Sequence, residues 1–302
     1  MAGGSRRAIL AAFFANLGIA IAKFAGFAIT RSSSMLAEGV HSVADTSNQA
    51  LLLLGGRRAA RPATPEHPFG YGRERYFWAF VVAVVLFTLG SAFALYEGIE
   101  KLLHPEPIES PQVAIGILLV VIVLEGASLR TAVVEANRAR GRSSWTAYIR
   151  RSKEPELPVV LLEDLGAMIG LVVALAAVCL SVVTDDPRWD GWGSIVIGLL
   201  LGVIALVLAS EMKSLLIGES AEPHRRREIV EAIESTTGVQ ELIHLRTQHL
   251  GPEELLVAAK VAFEPGLELR DLAQAVDDLE ARVRARVPEA RPIYIEPDVL
   301  RS

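Results

Sequence analysis

A polar stripe interrupts the second apolar segment of the chain and carries the residues best suited to chemistry. Glu38, His41 and Asp45, followed by Asn48 or Gln49, recur at i, i+3, i+7 and i+10 or i+11, so they share one face of a helix. An ionised carboxylate at the centre of a bilayer costs about 2.5–3.5 kcal/mol. We therefore expect this face to contact protein, water or an ion rather than lipid.

His41 and Asp45 are one helical turn apart and can direct donor atoms at a common point. An imidazole nitrogen together with a carboxylate oxygen suits Zn²⁺, Mn²⁺, Fe²⁺ or Co²⁺ better than Mg²⁺ or Ca²⁺, which prefer oxygen ligands. The alternative is a stripe that hydrogen-bonds one helix to another, a contact worth about 0.6–2 kcal/mol. The paired spacing, flanked by further polar residues, favours the metal site.

The fifth apolar segment holds two adjacent carboxylates, Glu163 and Asp164, at a depth comparable with that of Asp45. Adjacent helical residues point about 100° apart, so the two cannot easily bind one ion together. We expect one of them to coordinate the metal and the other to pair with a neighbour or relay protons. The same accessory role is open to Glu38, Asn48 and Gln49 on the second segment.

Other candidate residues have ordinary explanations. His67 lies in a polar loop rich in Gly and Pro and is a secondary metal candidate, although a loop histidine is more often solvated. His244 and His249 fall on a predicted strand at odd spacing, which places them on opposite faces. Three glutamates near the predicted ends of spans are expected to be solvated: Glu97, Glu100 and Glu125.

Composition and missing motifs exclude several function classes. The chain is 51% hydrophobic with a net charge of −5, which excludes a soluble enzyme, a disordered chain and a basic nucleic-acid binder. Its single cysteine, Cys179, cannot form an intrachain disulfide or a cysteine-based zinc site. The sequence lacks the phosphate-binding loop of ATPases and the common hydrolase and dinucleotide motifs, so an ATP-driven pump is disfavoured.

Six apolar segments must position these residues, and each is long enough to cross a hydrocarbon core of about 30 Å. They cover residues 8–30, 35–56, 76–99, 111–134, 157–183 and 192–210. Arginines and lysines collect in alternate connections, including Arg6, Arg7, Arg57, Arg58 and Arg142 on one side. The positive-inside rule then predicts that both termini are cytoplasmic.

One connecting region and the division into two domains complete the expected architecture. Residues 137–153 form either an amphipathic helix on the cytoplasmic leaflet or a polar loop. Residues 1–218 are expected to form the transmembrane domain, a bundle of six helices. Residues 219–302 have the pattern of a small α+β domain with the order α-β-β-α-β, which we expect to be cytoplasmic.

The chain resembles the cation diffusion facilitator (cation efflux) family over nearly its whole length. The most specific stretches are Ser34–Gln49, with its Ala-Glu-Gly-Val-His-Ser-Val-Ala-Asp core, and His67–Trp78. Val160–Asp164 is similar to the zinc transporter nine-like branch of that family. The resemblance implies a homodimeric carrier that exports Zn²⁺ or a related divalent ion in exchange for protons.

The resemblance also implies a ligand set. His41 and Asp45 match the pair on the second span, and Glu163 matches the lower ligand on the fifth span. Val159 stands where the upper ligand is expected, so three ligands remain. His67 matches a secondary-site ligand of some members, but Tyr71 replaces its histidine partner. In the tail Tyr294 replaces another histidine and Glu296 is retained, so we expect the tail to dimerise rather than to sense metal.

The expected function is therefore a membrane-embedded Zn²⁺/H⁺ antiporter, without enzymatic activity and without a tightly bound cofactor. Two alternatives stay open: an exporter of Mn²⁺, Fe²⁺ or Co²⁺ with the same fold, and a non-transporting membrane metal sensor or scaffold. The expected partners are the lipid bilayer and a second copy of the chain, with no nucleic acid. Because no Arg- and Ser-rich transit segment is evident, the expected location is a bacterial inner membrane.

Overall fold

The structure is a computed structural model that describes residues 3–141 and 143–300, with side chains described from Asn16 onward. The side chains of three arginines that support the predicted orientation are not among those described: Arg6, Arg7 and Arg142. The described chain divides into two compact units. The first unit comprises the chain up to Gly55 together with Phe77–Met212, and the second comprises Gly56–Tyr76 together with the chain from Lys213 onward.

The first unit is helical, and its elements begin and end as follows. They are α1 (Gly3–Thr30), α2 (Ser33–Ala59), α3 (Glu74–Val85), a π-helical turn (Leu86–Ala92) that continues into α4 (Phe93–Leu103), α5 (Pro111–Arg140), α6 (Trp145–Arg151), α7 (Glu156–Thr184) and α8 (Arg188–Ile217).

Four helical stretches are long and apolar enough to cross a membrane among the described residues: Glu74–Leu103, Pro111–Arg140, Glu156–Thr184 and Arg188–Ile217. The six spans predicted from the sequence are therefore matched at four positions. The described part of α1 contributes a shorter apolar helix, Asn16–Thr30. Helix α2 is long enough but too polar, because the stripe of charged and amide side chains lowers its hydropathy.

The start of α2 is fixed by a side chain from α8. Asp190 accepts hydrogen bonds from the backbone N–H groups of Ser33 at 2.7 Å and Ser34 at 3.2 Å, and from the hydroxyl of Ser32 at 2.8 Å. The first N–H groups of a helix have no partner within it, so a carboxylate placed there supplies the missing acceptors. Asp190 is wholly buried, and it thereby fixes where the polar stripe of α2 begins.

Helices α4 and α8 approach closely through glycines. A Cβ atom on Gly98 would lie 2.8 Å from the carbonyl oxygen of Gly191 and 2.9 Å from the backbone nitrogen of Ile195. One on Gly198 would lie 2.9 Å from the backbone nitrogen of Leu95. Small residues at helix contacts let backbones pack at short distance in membrane proteins.

The connection between α5 and α7 contains the short helix α6, which covers part of residues 137–153, and its placement on the cytoplasmic leaflet stays a prediction. The hydroxyl of Ser144 caps it by accepting from the N–H of Ala147 at 3.2 Å. The guanidinium of Arg140 lies 4.4 Å from the ring centre of Trp145, and Tyr148 packs against a small apolar cluster that includes Ala136 and Leu161.

The second unit contains a three-stranded sheet and two helices. Along the chain they are α9 (Pro223–Glu234), β1 (Val239–Gly251), β2 (Glu254–Phe263), α10 (Leu269–Arg286) and β3 (Ala290–Asp298). The sheet order is β1-β2-β3, with β1 and β2 antiparallel and β2 and β3 parallel. Both helices share one apolar core with the sheet, so the predicted α-β-β-α-β order is confirmed.

The loop 56–76 belongs to this second unit. A Cβ on Gly72 would lie 2.7 Å from the carbonyl oxygen of Leu250, and one on Gly251 would lie 2.9 Å from the Cα of Gly72. Arg75 also forms an ion pair with Glu253 in the turn between β1 and β2, at 3.6 Å. The loop thus packs directly against the end of the β1–β2 hairpin.

Candidate metal site of the first unit

Helix α2 carries its polar stripe into the interior of the first unit. Glu38, His41 and Asn48 are wholly buried, and 15% of the side chain of Asp45 is exposed. The His41 Nδ1 and Asp45 Oδ1 atoms are 3.5 Å apart, one helical turn from each other. The stripe therefore faces protein, and its His and Asp side chains lie side by side.

Several buried polar atoms on this stripe have no hydrogen-bond partner among the described residues. They are Oε1 of Glu38, both ring nitrogens of His41, Oδ1 of Asp45 and Oδ1 of Asn48. A buried donor or acceptor that stays unsatisfied costs about 1–3 kcal/mol. Their concentration on one helix face marks a place built to bind something polar, and nitrogen with carboxylate oxygen is the donor set of a transition metal.

Glu163 on α7 lies opposite this stripe. It is 4% exposed, and its Oε1 atom accepts a hydrogen bond from Nδ2 of Asn48 at 2.6 Å. Asp45 is within electrostatic range of Glu163. Asn48 therefore links α2 to α7, while the second carboxylate oxygen of Glu163 is not used by this bond. Gln49, the neighbouring candidate, is half-buried.

Asp164 points to a different helix from Glu163. Its Oδ2 atom accepts a hydrogen bond from the hydroxyl of Ser128 on α5 at 3.0 Å. This divergence is the consequence of the 100° step between adjacent helical residues. Val159 lies one turn before Glu163 and is wholly buried, and its aliphatic side chain offers no donor atom.

The three expected ligands are not gathered into a closed ligand cluster. Among the described residues there is no group of three His, Cys, Asp or Glu side chains placed to hold a metal. The structure brings His41 and Asp45 together, whereas Glu163 is engaged by Asn48. To join them on one ion, Glu163 can use its second oxygen, which the bond to Asn48 does not engage.

A charged residue that the sequence reasoning missed lies beside the stripe. Lys23 on α1 is wholly buried, and its Nζ atom lies 3.0 Å from Oε2 of Glu38, 2.7 Å from the hydroxyl of Ser42 and 3.9 Å from Oε1 of Glu125. The expectation that Glu125 is solvated at a span end is wrong, since it is 7% exposed in the middle of α5. The available signal was a single lysine within an otherwise apolar span.

The secondary metal candidates lie in the second unit. His67 is exposed and packs edge-on against the ring of Tyr71, with 4.6 Å between ring centres. In the tail, Glu296 accepts from Nζ of Lys260 at 2.8 Å, and Asp298 lies 3.0 Å from the same atom. Hydrogen bonds to Glu296 and then Asp298 raise the pKa of Lys260. Tyr294 is exposed.

Two family descriptions match this chain. "Cation efflux transmembrane domain" matches residues 9–217, and "Cation efflux protein, cytoplasmic domain" matches residues 221–298. Together they cover both the helical region that carries the polar stripe and the α-β-β-α-β tail.

Individual relatives agree with these matches. The chain is 36% identical over 258 residues to the mitochondrial proton-coupled zinc antiporter SLC30A9 of Xenopus laevis, covering 84% of this chain and 46% of that protein. It is 34% identical over 257 residues to the Homo sapiens protein of the same name, covering 84% of this chain and 45% of the other. It is 28% identical over 291 residues to the cation-efflux pump FieF of Escherichia fergusonii, covering 94% of this chain and 89% of that pump. The chain therefore spans less than half the length of the zinc antiporters it resembles.

Proposed function

The chain belongs to the cation efflux family, and on that premise we propose that it carries a divalent metal cation out of the cytoplasm in exchange for protons. Members of this family are transporters rather than enzymes, and the protein is a multi-pass membrane protein. Zn²⁺ is the proposed substrate, supported by the names of the zinc antiporters at 34–36% identity. Mn²⁺, Fe²⁺ and Co²⁺ are the competing substrates, since the same ligand types accept them.

The proposed transport site consists of His41, Asp45 and Glu163. The observation that carries it is the set of buried atoms on α2 without hydrogen-bond partners, above all both ring nitrogens of His41. Either nitrogen can bind a metal only when it is unprotonated, so metal and proton compete for the same atom. The competition couples the two fluxes without any covalent chemistry.

Val159 leaves the proposed site with three protein ligands, so water completes the coordination, since Asp164 is turned towards Ser128 on α5. An open position of this kind suits a cargo ion, which must be released as well as bound, better than a closed structural site does. Asp164, Glu38, Asn48 and Gln49 are proposed as accessory groups that pair with the ligands or relay protons. His67 stays a candidate for a weaker, secondary site.

The proposed arrangement in the cell is a homodimer with six spans, both termini cytoplasmic and alternating access around the site. The described helices α1 and α2 are proposed as the two spans beyond the four that length and composition identify. The match of residues 221–298 to the family's cytoplasmic domain supports placing the tail in the cytoplasm. We propose a bacterial plasma membrane as the location, supported by the likeness to the FieF pump over 94% of the chain.

The test is metal flux into proteoliposomes across an imposed pH gradient, with a zinc indicator inside the vesicles and a pH dye as second readout. The double substitution His41→Ala with Asp45→Ala is expected to reduce zinc flux to that of empty vesicles. Ser47→Ala is the matched control on the same helix, because that hydroxyl donates to the carbonyl of Val43 one turn earlier. Parent-like flux from the double variant would show that the site lies elsewhere.

The same assay separates the alternatives. Saturable metal binding to the purified protein without proton-coupled flux would favour the membrane sensor or scaffold. Stronger flux of Mn²⁺, Fe²⁺ or Co²⁺ than of Zn²⁺ would replace the proposed substrate but retain the site.

A further inference from the structure

Lys23 places a positive charge inside the first unit, where no water-facing surface reaches it. Its side chain is wholly buried and extends from α1 towards two residues of α2 and one residue of α5. The three oxygen atoms around Nζ come from two carboxylates and one hydroxyl, Glu38, Glu125 and Ser42. Carboxylate and hydroxyl oxygens of this kind would serve a divalent cation equally well.

This oxygen group is separate from the proposed transport site but adjoins it along the same helix. Glu38 lies one turn before His41 on α2, and Asp45 lies one turn after it. The positive charge of Lys23 also interacts with the carboxylate of Asp45. An uncompensated pair of carboxylates at this position would attract a second metal ion next to the first.

A simple packing contact accounts poorly for the arrangement. A buried ion pair adds little net stability over apolar residues of similar size, because removing both charges from water is costly. Here one oxygen of Glu38 bonds Lys23, but the other has no hydrogen-bond partner among the described residues. That free oxygen lies against Gly170 of α7, where a Cβ atom would collide with it. The glycine thus leaves room for a carboxylate oxygen that no hydrogen bond among the described residues satisfies.

We propose that the ammonium of Lys23 is a tethered cation that occupies the oxygen site formed by Glu38, Ser42 and Glu125 and so limits the protein to one metal ion in its membrane region. Lys23 thus determines how many metal ions bind and is not itself a metal ligand. This inference rests on the proposed metal transport, and the parent protein tests that premise separately.

The experiment measures zinc bound per chain by the full-length protein, purified in detergent, equilibrated with ZnCl₂ and freed of excess metal. Lys23→Met removes the charge at nearly constant length and is expected to raise the bound zinc by about one equivalent per chain relative to the parent, since Zn²⁺ also binds carboxylate oxygens. The double variant Lys23→Met with Glu38→Gln removes both charges and is expected to return to the parent value. Lys101→Met is the matched control, since Lys101 is also buried but donates to the backbone carbonyl of Arg31.

Lys23→Gln is the second variant, in case the methionine variant does not fold. Its amide can still donate to Glu38 or Ser42, and it is also expected to gain one zinc per chain. Thermal unfolding of each variant in detergent reports on folding independently of metal content.

The outcomes are distinct. If well-folded Lys23→Met and Lys23→Gln bind the same amount of zinc as the parent, the inference is wrong. If the extra zinc persists in the double variant, it does not bind at Glu38, and the inference is equally wrong. If the parent itself binds no zinc, the proposed metal transport is wrong.

Discussion

Asp190 of α8 caps α2 from outside that helix: its Oδ2 atom lies 2.7 Å from the backbone nitrogen of Ser33. The capped helix is the one that carries Glu38, His41 and Asp45, beginning within two turns of the cap. A wholly buried residue from the last helix of the first unit therefore sets the position of the helix on which the proposed metal site depends.

Loss of this cap should destabilise the first unit. Replacing an N-cap acceptor by alanine typically costs about 0.5–2 kcal/mol, and Asp190→Ala leaves the buried N–H groups of Ser33 and Ser34 without their acceptor. We expect a lower thermal unfolding midpoint in detergent, together with weaker zinc binding. Asp190→Asn keeps one acceptor oxygen, so its unfolding midpoint should lie between those of the alanine variant and the parent. An alanine variant as stable as the parent would mean that the cap does not hold α2.

A fourth ligand can be restored at Val159. This residue lies one turn before Glu163 on α7 and is wholly buried beside the proposed site. Val159→His places an imidazole at i, i+4 from Glu163 and should tighten zinc binding by at least about tenfold, or ~1.4 kcal/mol. Isothermal titration with ZnCl₂ measures the change. Val159→Leu, which adds volume but no donor, serves as control, and equal affinities for both variants would argue against a site at this depth of α7.

The close packing of α4 on α8 should be sensitive to a single methyl group. Gly98→Ala would bring its Cβ to 2.8 Å from the carbonyl oxygen of Gly191, a backbone atom that cannot rotate away. Overpacking of this kind costs about 1–3 kcal/mol. Gly116→Ala on α5 is the control, since nothing lies within 4 Å of its Cβ and alanine favours the helix. Thermal unfolding of the two variants should separate them clearly, and equal midpoints would contradict the observed packing.

The contact between the loop 56–76 and the β1–β2 hairpin gives a parallel prediction for the second unit. Gly72→Ala places its Cβ 2.7 Å from the carbonyl oxygen of Leu250, so we expect the hairpin and the loop to separate locally. Hydrogen exchange monitored by mass spectrometry should show faster exchange in β1 near Gly251. Gly56→Ala has open space around it and should leave exchange there unchanged. Unchanged protection in the Gly72 variant would mean that this contact does not support the hairpin.

The polar stripe was predictable because helical periodicity acts within one segment. The spacing of Glu38, His41 and Asp45 requires no knowledge of neighbouring helices, and neither does the divergence of Glu163 and Asp164. The order of helices and strands in the tail was predictable for the same reason, since the period of apolar residues and the turn residues are local signals.

Contacts between distant segments were beyond this reasoning. Lys23 and Glu125 are far apart in sequence, and neither spacing nor composition says that α1, α2 and α5 bring their side chains together. Asp190 of α8 is likewise buried against the first turn of α2, a contact between segments that are far apart in the sequence. Such pairs depend on which helices are neighbours, and a single sequence does not specify this.

The membership of Gly56–Tyr76 in the second unit bears on how the protein is made and divided. This unit is discontinuous: the ribosome completes its first piece, including the buried Tyr76, before most of the helices have been synthesised, and the remaining piece emerges last. The loop can therefore pack against the β1–β2 hairpin only after the tail has been synthesised. The apolar core of this unit lies entirely between Ala221 and Ile295, so a fragment beginning at Lys213 would keep that core and lose only the packing of the loop 56–76 on the hairpin.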